Sequence, residues 1–343
     1  MNQKATRKTT DSEGTTGGTM PNFFVVGAQK AGTTSLYHYL EQHPDVFMSP
    51  AKEPFFFDHE LDPSGSVIKH EFGRRSLARN PRFANIAEYL TLFEGVRGER
   101  AVGEASPLYI YAPGTASRIK QYSPGAKIVA ILRNPADRAY SAFLYAVRIG
   151  VEPLTDFAQA LREEEQRIRD DWHYVYRYRD RGLYHKQLKD YYDVFGPEKV
   201  GVWLYEDMRE DPLGVSRSVF RFLGVDDAFA PDTSSRHNAA RVPKNAFARA
   251  TIRAMNKAFP VMKRIVPSSS VRVRDQWDHK VRQLVNSRIL AADPPSLNPA
   301  LRAELLEGYK EDISKLQGLI GRDLSPWLED GGEGPGRAPG QHD

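Results

Sequence analysis

The chain has 343 residues, with 48 Lys+Arg against 44 Asp+Glu for a net charge of +4, and no cysteine. That excludes disulfides, thiolate metal sites, iron–sulfur clusters and a cysteine nucleophile, so any chemistry must come from oxygen and nitrogen groups. The length suits one large domain or two ordinary ones, and 40% hydrophobic with 27% charged residues describes an ordinary soluble globular protein.

Residues 1–20 and 331–343 are rich in Gly, Thr, Pro and charge with no periodic apolar positions, and are expected to be disordered tails around a single domain at 21–330. No stretch approaches the roughly 18 apolar residues of a membrane span, and the N-terminus lacks the apolar core of a leader. The expectation is a cytoplasmic protein with no transmembrane segment.

Order begins at the apolar run Asn22 to Gly27, which reads as a buried strand of a parallel sheet. Thr33 to Gln42 follows at helical spacing. Ala101-Val102-Gly103, Lys127 to Leu132 and Val200 to Leu204 read as further buried strands. Asn134-Pro135 opens a helix running to about Arg148, Asp211-Pro212 opens one that closes on Gly224, and a final helix spans about Pro299 to Leu319. Strands alternating with helices predict an α/β fold with a central parallel sheet flanked by helices. Such sheets bind ligands beyond the carboxyl ends of their strands, which directs attention to the loop after Gly27, to Glu104 and to Arg133.

Gly27-Ala28-Gln29-Lys30-Ala31-Gly32-Thr33-Thr34 lies between a strand and a helix, where free N–H groups and the helix dipole make an anion site. It departs from the Walker A pattern, because Thr33 stands where that motif requires lysine and the lysine has moved inside the loop. A kinase would also want a strand-end aspartate for magnesium, and Lys127 to Leu132 ends in Arg133 instead. Arginine there supplies fixed positive charge to a phosphate-bearing ligand without a metal, and no histidine has a second ligand at metal spacing, so no metal site is expected.

These residues resemble the sulfotransferases that use 3′-phosphoadenosine 5′-phosphosulfate (PAPS), especially the glycan-type branch of heparan sulfate synthesis. Gly27 to Thr34 is similar to that family's 5′-phosphosulfate loop, and Ile131-Leu132-Arg133-Asn134-Pro135-Ala136-Asp137-Arg138-Ala139-Tyr140-Ser141 to its 3′-phosphate segment. Gly182-Leu183-Tyr184, Tyr205-Glu206-Asp207 and Phe222-Leu223-Gly224-Val225 add to the likeness. The resemblance implies a P-loop-like three-layer fold and a metal-independent transferase with PAPS as donor. It implies that Lys30, Ala31, Gly32, Thr33, Thr34 and Ser35 hold the 5′-phosphosulfate and that Arg133 and Ser141 hold the 3′-phosphate. Tyr184 is implied to stack on adenine, and Arg241 and Lys244 to belong to a loop closing over the nucleotide.

Lys30 is the implied stabiliser of charge on the leaving phosphate. Glu104, in Val102-Gly103-Glu104-Ala105-Ser106-Pro107-Leu108-Tyr109, is similar to the glycan branch's glutamate and is expected to be the general base. Lys52-Glu53-Pro54-Phe55-Phe56-Phe57-Asp58 resembles the segment before the acceptor cleft, where Lys52 could touch sulfate or acceptor and Glu53 could orient it. Tyr174, Tyr176 and Tyr178, alternating with Arg177 and Arg179, read either as an acceptor rim or as a plain half-exposed segment.

The implied acceptor is a hydroxyl or amine of a saccharide, lipid or secondary metabolite, with no nucleic acid partner. Two other readings stay open: a nucleotide kinase on the same loop, and a polyanion-binding module. The latter draws on residues 236–288, where nine Arg and four Lys face only Asp275 and Asp278, a local net charge of +11 against −7 for the rest of the chain.

Overall fold

The structure is a computed structural model that describes residues 18–61, 67–70, 83–234, 242–243, 248, 250–252, 290–291 and 295–329. The expected tails at 1–17 and 331–343, Arg241, Lys244 and most of the basic segment at 236–288 lie outside the described residues.

Five short apolar runs associate into one parallel sheet. In chain order they are β1 (Phe23–Gly27), β2 (Val46–Met48), β5 (Ala101–Ala105), β6 (Lys127–Leu132) and β7 (Val200–Leu204), and across the sheet the order is β2-β5-β1-β6-β7. Every residue of β1 is buried, because β1 has a strand on each side and helices over its faces. β2 is an edge strand of three residues, too short for a sequence period to show. Two antiparallel pairs stand apart from this sheet: β3 (His59–Leu61) with β4 (Val67–His70), and β8 (Val242–Pro243) with β9 (Leu290–Ala291).

The principal helices are α1 (Thr33–Glu41), α2 (Ile86–Leu90), α3 (Thr115–Tyr122), α4 (Pro135–Arg148), α5 (Phe157–Arg169), α6 (Tyr184–Phe195), α7 (Tyr205–Glu210), α8 (Pro212–Leu223) and α9 (Pro299–Ile320). Three of them start by one device. Asn134 accepts from the N–H groups of Ala136 and Asp137, Asp211 from that of Gly214, and Asn298 from those of Ala300 and Leu301, each followed by a proline at the first helical position. The cap satisfies orphan amides and proline loses nothing where its missing N–H has no partner. α8 closes on left-handed Gly224, as its sequence predicts, and α9 on left-handed Gly321.

The chain leaves β1 toward the β2 edge and leaves β6 toward the β7 edge, so β1 and β6 flank the switch point of the sheet. In sheets of this kind the ligand crevice lies there, beyond the strand ends. The two following segments meet in it: the Ala28 N–H donates to the Ile131 carbonyl (2.6 Å) and Arg133 Nη1 to the Lys30 carbonyl (3.3 Å).

The far end of the described chain is clasped to this region. α9 packs on α4 and α6. Arg302 Nε pairs with Asp137 Oδ1 at 3.2 Å in a buried contact, and Asn134 Nδ2 donates to the carbonyl of Trp327, in the turn Ser325–Trp327, at 2.9 Å. The residue that caps α4 is thus shared with a turn 193 positions later.

Candidate active site

The loop from Ala28 to Gly32 is shaped by two residues with positive φ, Lys30 (75°) and Gly32 (90°). Gly32 has a packing reason as well: a Cβ there would lie 2.2 Å from Met208 Cε and 3.0 Å from Tyr205 Cδ2, both on α7, so a larger residue meets steric overlap and backbone strain together. The first helical bond of α1 runs from the Leu36 N–H to the Gly32 carbonyl (3.2 Å), which leaves the amides of Thr33, Thr34 and Ser35 in the orphan first turn of a helix that begins at the crevice. Thr33 is buried, whereas Thr34 and Ser35 are half-buried.

Lys30 sits at the centre of a cationic cluster. Its ammonium lies 4.9 Å from the centroid of the Tyr145 ring, and the Arg148 guanidinium lies 5.1 Å from the same ring. Arg133 stacks over Tyr205 at 4.6 Å. Burial, then Arg148 and Arg133, and more weakly Lys52, pull the Lys30 pKa down to about 7, and Glu53 is the neighbour that pushes back. Lys52 donates to Thr34 Oγ1 and lies 3.7 Å from Glu53 Oε1. Its own pKa is lowered by burial, against the opposing pull of Glu53. Lys30, Lys52, Thr34, Glu53, Arg133 and Arg148 are therefore brought together, and Ser141, on the second turn of α4, is four residues before Tyr145 and seven before Arg148 on one helix face.

Glu104 occupies a different place from the one its sequence position predicts. The strand does not end at Gly103 but runs through Ala105, and Glu104 pairs across the sheet with Phe24, three residues short of Gly27. At about 3.3 Å per residue, that sets its backbone roughly 10 Å back from the loop. Its side chain is 0% exposed. Oε1 accepts from Tyr89 and Tyr109 (2.9 Å each) and Oε2 from Ser106 (2.7 Å), so both oxygens are engaged by hydroxyls. Two of those hydroxyls are in turn met by the next segment: Ser106 Oγ accepts from the Phe55 N–H (3.2 Å) and the Tyr109 hydroxyl from those of Phe56 (2.9 Å) and Phe57 (3.1 Å). The Glu53 N–H donates to the Ala105 carbonyl at 3.0 Å. Glu104 thus anchors the base of the segment that carries Glu53, and Glu53, its side chain 33% exposed, is the carboxylate beside Lys30 and Lys52.

Burial raises the Glu104 pKa from 4.5 to about 7, against three hydrogen bonds that lower it. A carboxyl that holds its proton more tightly folded than unfolded contributes stability that is whole below its unfolded value and is lost as pH rises through its folded one. The wild-type protein is therefore expected to lose on the order of 3 kcal/mol between pH 5 and pH 8.5 from this group. Glu104→Gln keeps an acceptor but cannot ionise, so its urea midpoint should fall less over the same range; an unchanged pH slope in the variant would sink this account.

Tyr184 also departs from expectation. Its ring is fully buried and packs 6.3 Å from that of Trp327, while its hydroxyl donates to the Arg133 carbonyl (3.0 Å). It offers no open face for an adenine ring and instead fixes the backbone of Arg133. Tyr176 and Tyr178 are buried, with hydroxyls donating to the Val151 carbonyl and to Glu152 Oε2, which leaves half-buried Tyr174 alone of the three for a rim. Phe56 and Phe57 are core. Sequence reasoning missed Tyr145 and Arg148, for which the i, i+4, i+7 spacing from Ser141 was the available signal, and Tyr205, the residue that follows β7 as Arg133 follows β6.

A family profile described as "Sulfotransferase family" matches residues 21–230, which hold the loop, β1, β5, β6, β7 and the whole cationic cluster. The chain belongs to the sulfotransferase family. Its fold agrees with that of a sulfotransferase from Alicyclobacillus acidocaldarius solved by crystallography, 36% identical, with a TM-score of 0.66 over 91% of this chain and 100% of that one. Among curated sulfotransferases it is 29% identical over 133 residues to the membrane-associated sulfotransferase kil1 of Dictyostelium discoideum, covering 38% of this chain and 24% of that protein. It is 28% identical over 207 residues to heparan sulfate glucosamine 3-O-sulfotransferase 6 of mouse, covering 60% and 52%. The matches span about half or less of these curated relatives' length. Among the described residues of this sulfotransferase, no helix is long and apolar enough to cross a membrane.

Proposed function

We propose that this sulfotransferase moves the sulfuryl group of PAPS to a hydroxyl or amine of a saccharide, lipid or secondary-metabolite acceptor. The observation that carries the reading is the meeting of Lys30, the orphan first turn of α1 and Arg133 at the switch point, with arginine rather than a carboxylate ending β6. That donor set fits a phosphosulfate: backbone amides and hydroxyls for the equatorial oxygens, and fixed cations where a phosphate monoester would lie. Thr33, Thr34 and Ser35 would hold the 5′ end, and Arg133 with Ser141 the 3′-phosphate.

In the transfer, the bond from sulfur to the bridging oxygen of the donor breaks, a bond from sulfur to the acceptor oxygen or nitrogen forms, and the acceptor proton must leave. Lys30 would act where charge grows on the departing phosphate, which accelerates the step because that charge is larger in the transition state than in the ground state. Glu53 would take the proton. It stands partly exposed beside Lys30, whereas Glu104 would have to break three hydrogen bonds and displace the Phe55–Phe57 segment to reach an acceptor. Glu104 is assigned the positioning of that segment. The pairing of Lys52 with Thr34 and Glu53 links donor loop and base.

Titration calorimetry with adenosine 3′,5′-bisphosphate tests the donor assignment: binding without added magnesium is expected. Failure to bind, or binding only with a divalent ion, would replace this reading with that of a nucleotide kinase. Incubation of candidate acceptors with sulfur-labelled PAPS, followed by mass analysis of labelled products, identifies the acceptor.

A further inference from the structure

Two buried arginines lie behind the donor loop, and the transfer chemistry above makes no use of them. Arg138, on the first turns of α4, is 1% exposed, and Arg181, in the turn Asp180–Gly182 that precedes α6, is 4% exposed. Among the described residues neither forms an ion pair. Arg138 Nη2 donates to the Tyr178 carbonyl, while its Nε and Nη1 are buried without a hydrogen-bond partner. Arg181 Nη2 donates to Gln29 Oε1 at 2.7 Å, and its Nη1 is buried without a partner. The Tyr174 ring covers the Arg181 guanidinium at 5.5 Å.

An unpaired charge taken out of water costs several kcal/mol, and here two like charges are buried in each other's field. After burial itself, Arg138 is the largest influence pulling the Arg181 pKa down, to about 10. A core position that only needed filling would be served better by an apolar side chain of similar volume. What sets Arg181 apart is where its one side-chain hydrogen bond goes. Gln29 lies between Ala28, tied by its N–H to β6, and Lys30, held at positive φ at the centre of the cationic cluster. The planar fork of arginine can hold the Gln29 amide with one nitrogen while its face stays against an aromatic ring, which a lysine ammonium cannot do.

We propose that Arg181 is a positioning residue for sulfuryl transfer: through Gln29 it sets the conformation of the donor loop at Lys30, and its charge, without an ion-pair partner among the described residues, is balanced by the anionic donor. This rests on the donor reading above. It separates two kinds of cation at the site: Lys30 and Arg133 on the donor itself, and Arg181 acting one residue removed, on the loop.

The experiment compares wild type, Gln29→Ala, Arg181→Lys and the double variant by three measurements: calorimetric affinity for adenosine 3′,5′-bisphosphate, kcat and KM with PAPS, and thermal midpoint. Each single variant is expected to lower kcat/KM for the donor by about 10- to 100-fold, the scale of a small misplacement of reacting groups. The double variant should be no worse than the poorer single one, because both remove the same contact. The donor analogue should also raise the midpoint of wild type more than that of Arg181→Lys.

Single-variant losses that multiply in the double variant would overturn the proposal, as would variants that shift only the thermal midpoint while kcat, KM and analogue affinity stay at wild-type values. Should Arg181→Lys fail to fold, Gln29→Ala leaves the guanidinium in place and decides the matter by the same kinetic criterion. Wild type that binds the analogue while the variants match it refutes this inference alone. Wild type that does not bind the analogue refutes the donor reading, and this inference with it.

Discussion

Replacing Glu53 by glutamine is expected to lower kcat by about 10²–10⁴, the range over which a positioned general base contributes. The substitution keeps size and polarity, so the segment from Lys52 to Asp58, pinned by backbone donors on Ser106 and Tyr109, should stay in place. What is lost is the only carboxylate that bears on Lys30 among that group's principal electrostatic neighbours. Stopped assays with labelled PAPS give kcat, and calorimetry with adenosine 3′,5′-bisphosphate separates it from donor affinity. Glu104→Gln is the matching control, expected under the proposed assignment to remain within about tenfold of wild type, because there Glu104 holds hydroxyls rather than taking the acceptor proton. A large loss in Glu104→Gln with near-normal turnover in Glu53→Gln would exchange the two roles.

The second large effect belongs to Lys30. Its replacement by alanine is expected to lower kcat by about 10²–10³, the usual loss when one stabiliser of transition-state charge is removed, and to weaken donor binding. Its acid–base behaviour adds a signature that a merely structural lysine would not give. Near pH 7 the free protein holds Lys30 only partly protonated, since burial and the cations Arg148 and Arg133 oppose its charge. An anionic donor favours the ammonium, so binding should take up a proton, and donor affinity should fall as pH rises above about 7. Calorimetry between pH 6 and pH 9 in buffers of different ionisation enthalpy measures both. In Lys30→Ala the proton uptake should disappear; if it persists, another group is responsible.

The elements that the sequence announces are those whose cause is local. The loop from Gly27 to Gly32 follows from a strand run, two glycines and a helix onset, and α4, α8 and α9 begin at Asn-Pro or Asp-Pro pairs whose capping needs only the next three residues. Arg133 was legible because it ends a strand, and strand ends carry ligands in this kind of sheet. The same rule directs attention to Glu104, whose side chain lies buried beneath hydroxyls within β5. Strand membership there depends on pairing with Phe24, and the burial of its carboxylate on Tyr89 and Tyr109, which no short-range pattern contains.

Tyr184 and Arg181 show the converse. Both lie within two residues of Gly182, but whether a tyrosine there faces a ligand or a carbonyl is decided by the packing of α9 on α4 and α6. Glu53 and Lys52 follow no strand of the main sheet directly. They reach the crevice because the Ser49 and Glu53 amides bond to the Gly103 and Ala105 carbonyls of β5.

The sharing of Asn134 between the first turn of α4 and the carbonyl of Trp327, with the Asp137–Arg302 pair beside it, has a consequence for the order in which the protein becomes competent. A ribosome that has released β1, the donor loop, β6 and α4 has made nearly every group that would touch the donor. The helix that presents Ser141 and Arg148 still lacks its clasp until α9 and the turn after it have emerged. Donor binding by a nascent chain would therefore switch on in one step, when that turn docks, rather than grow in step with length.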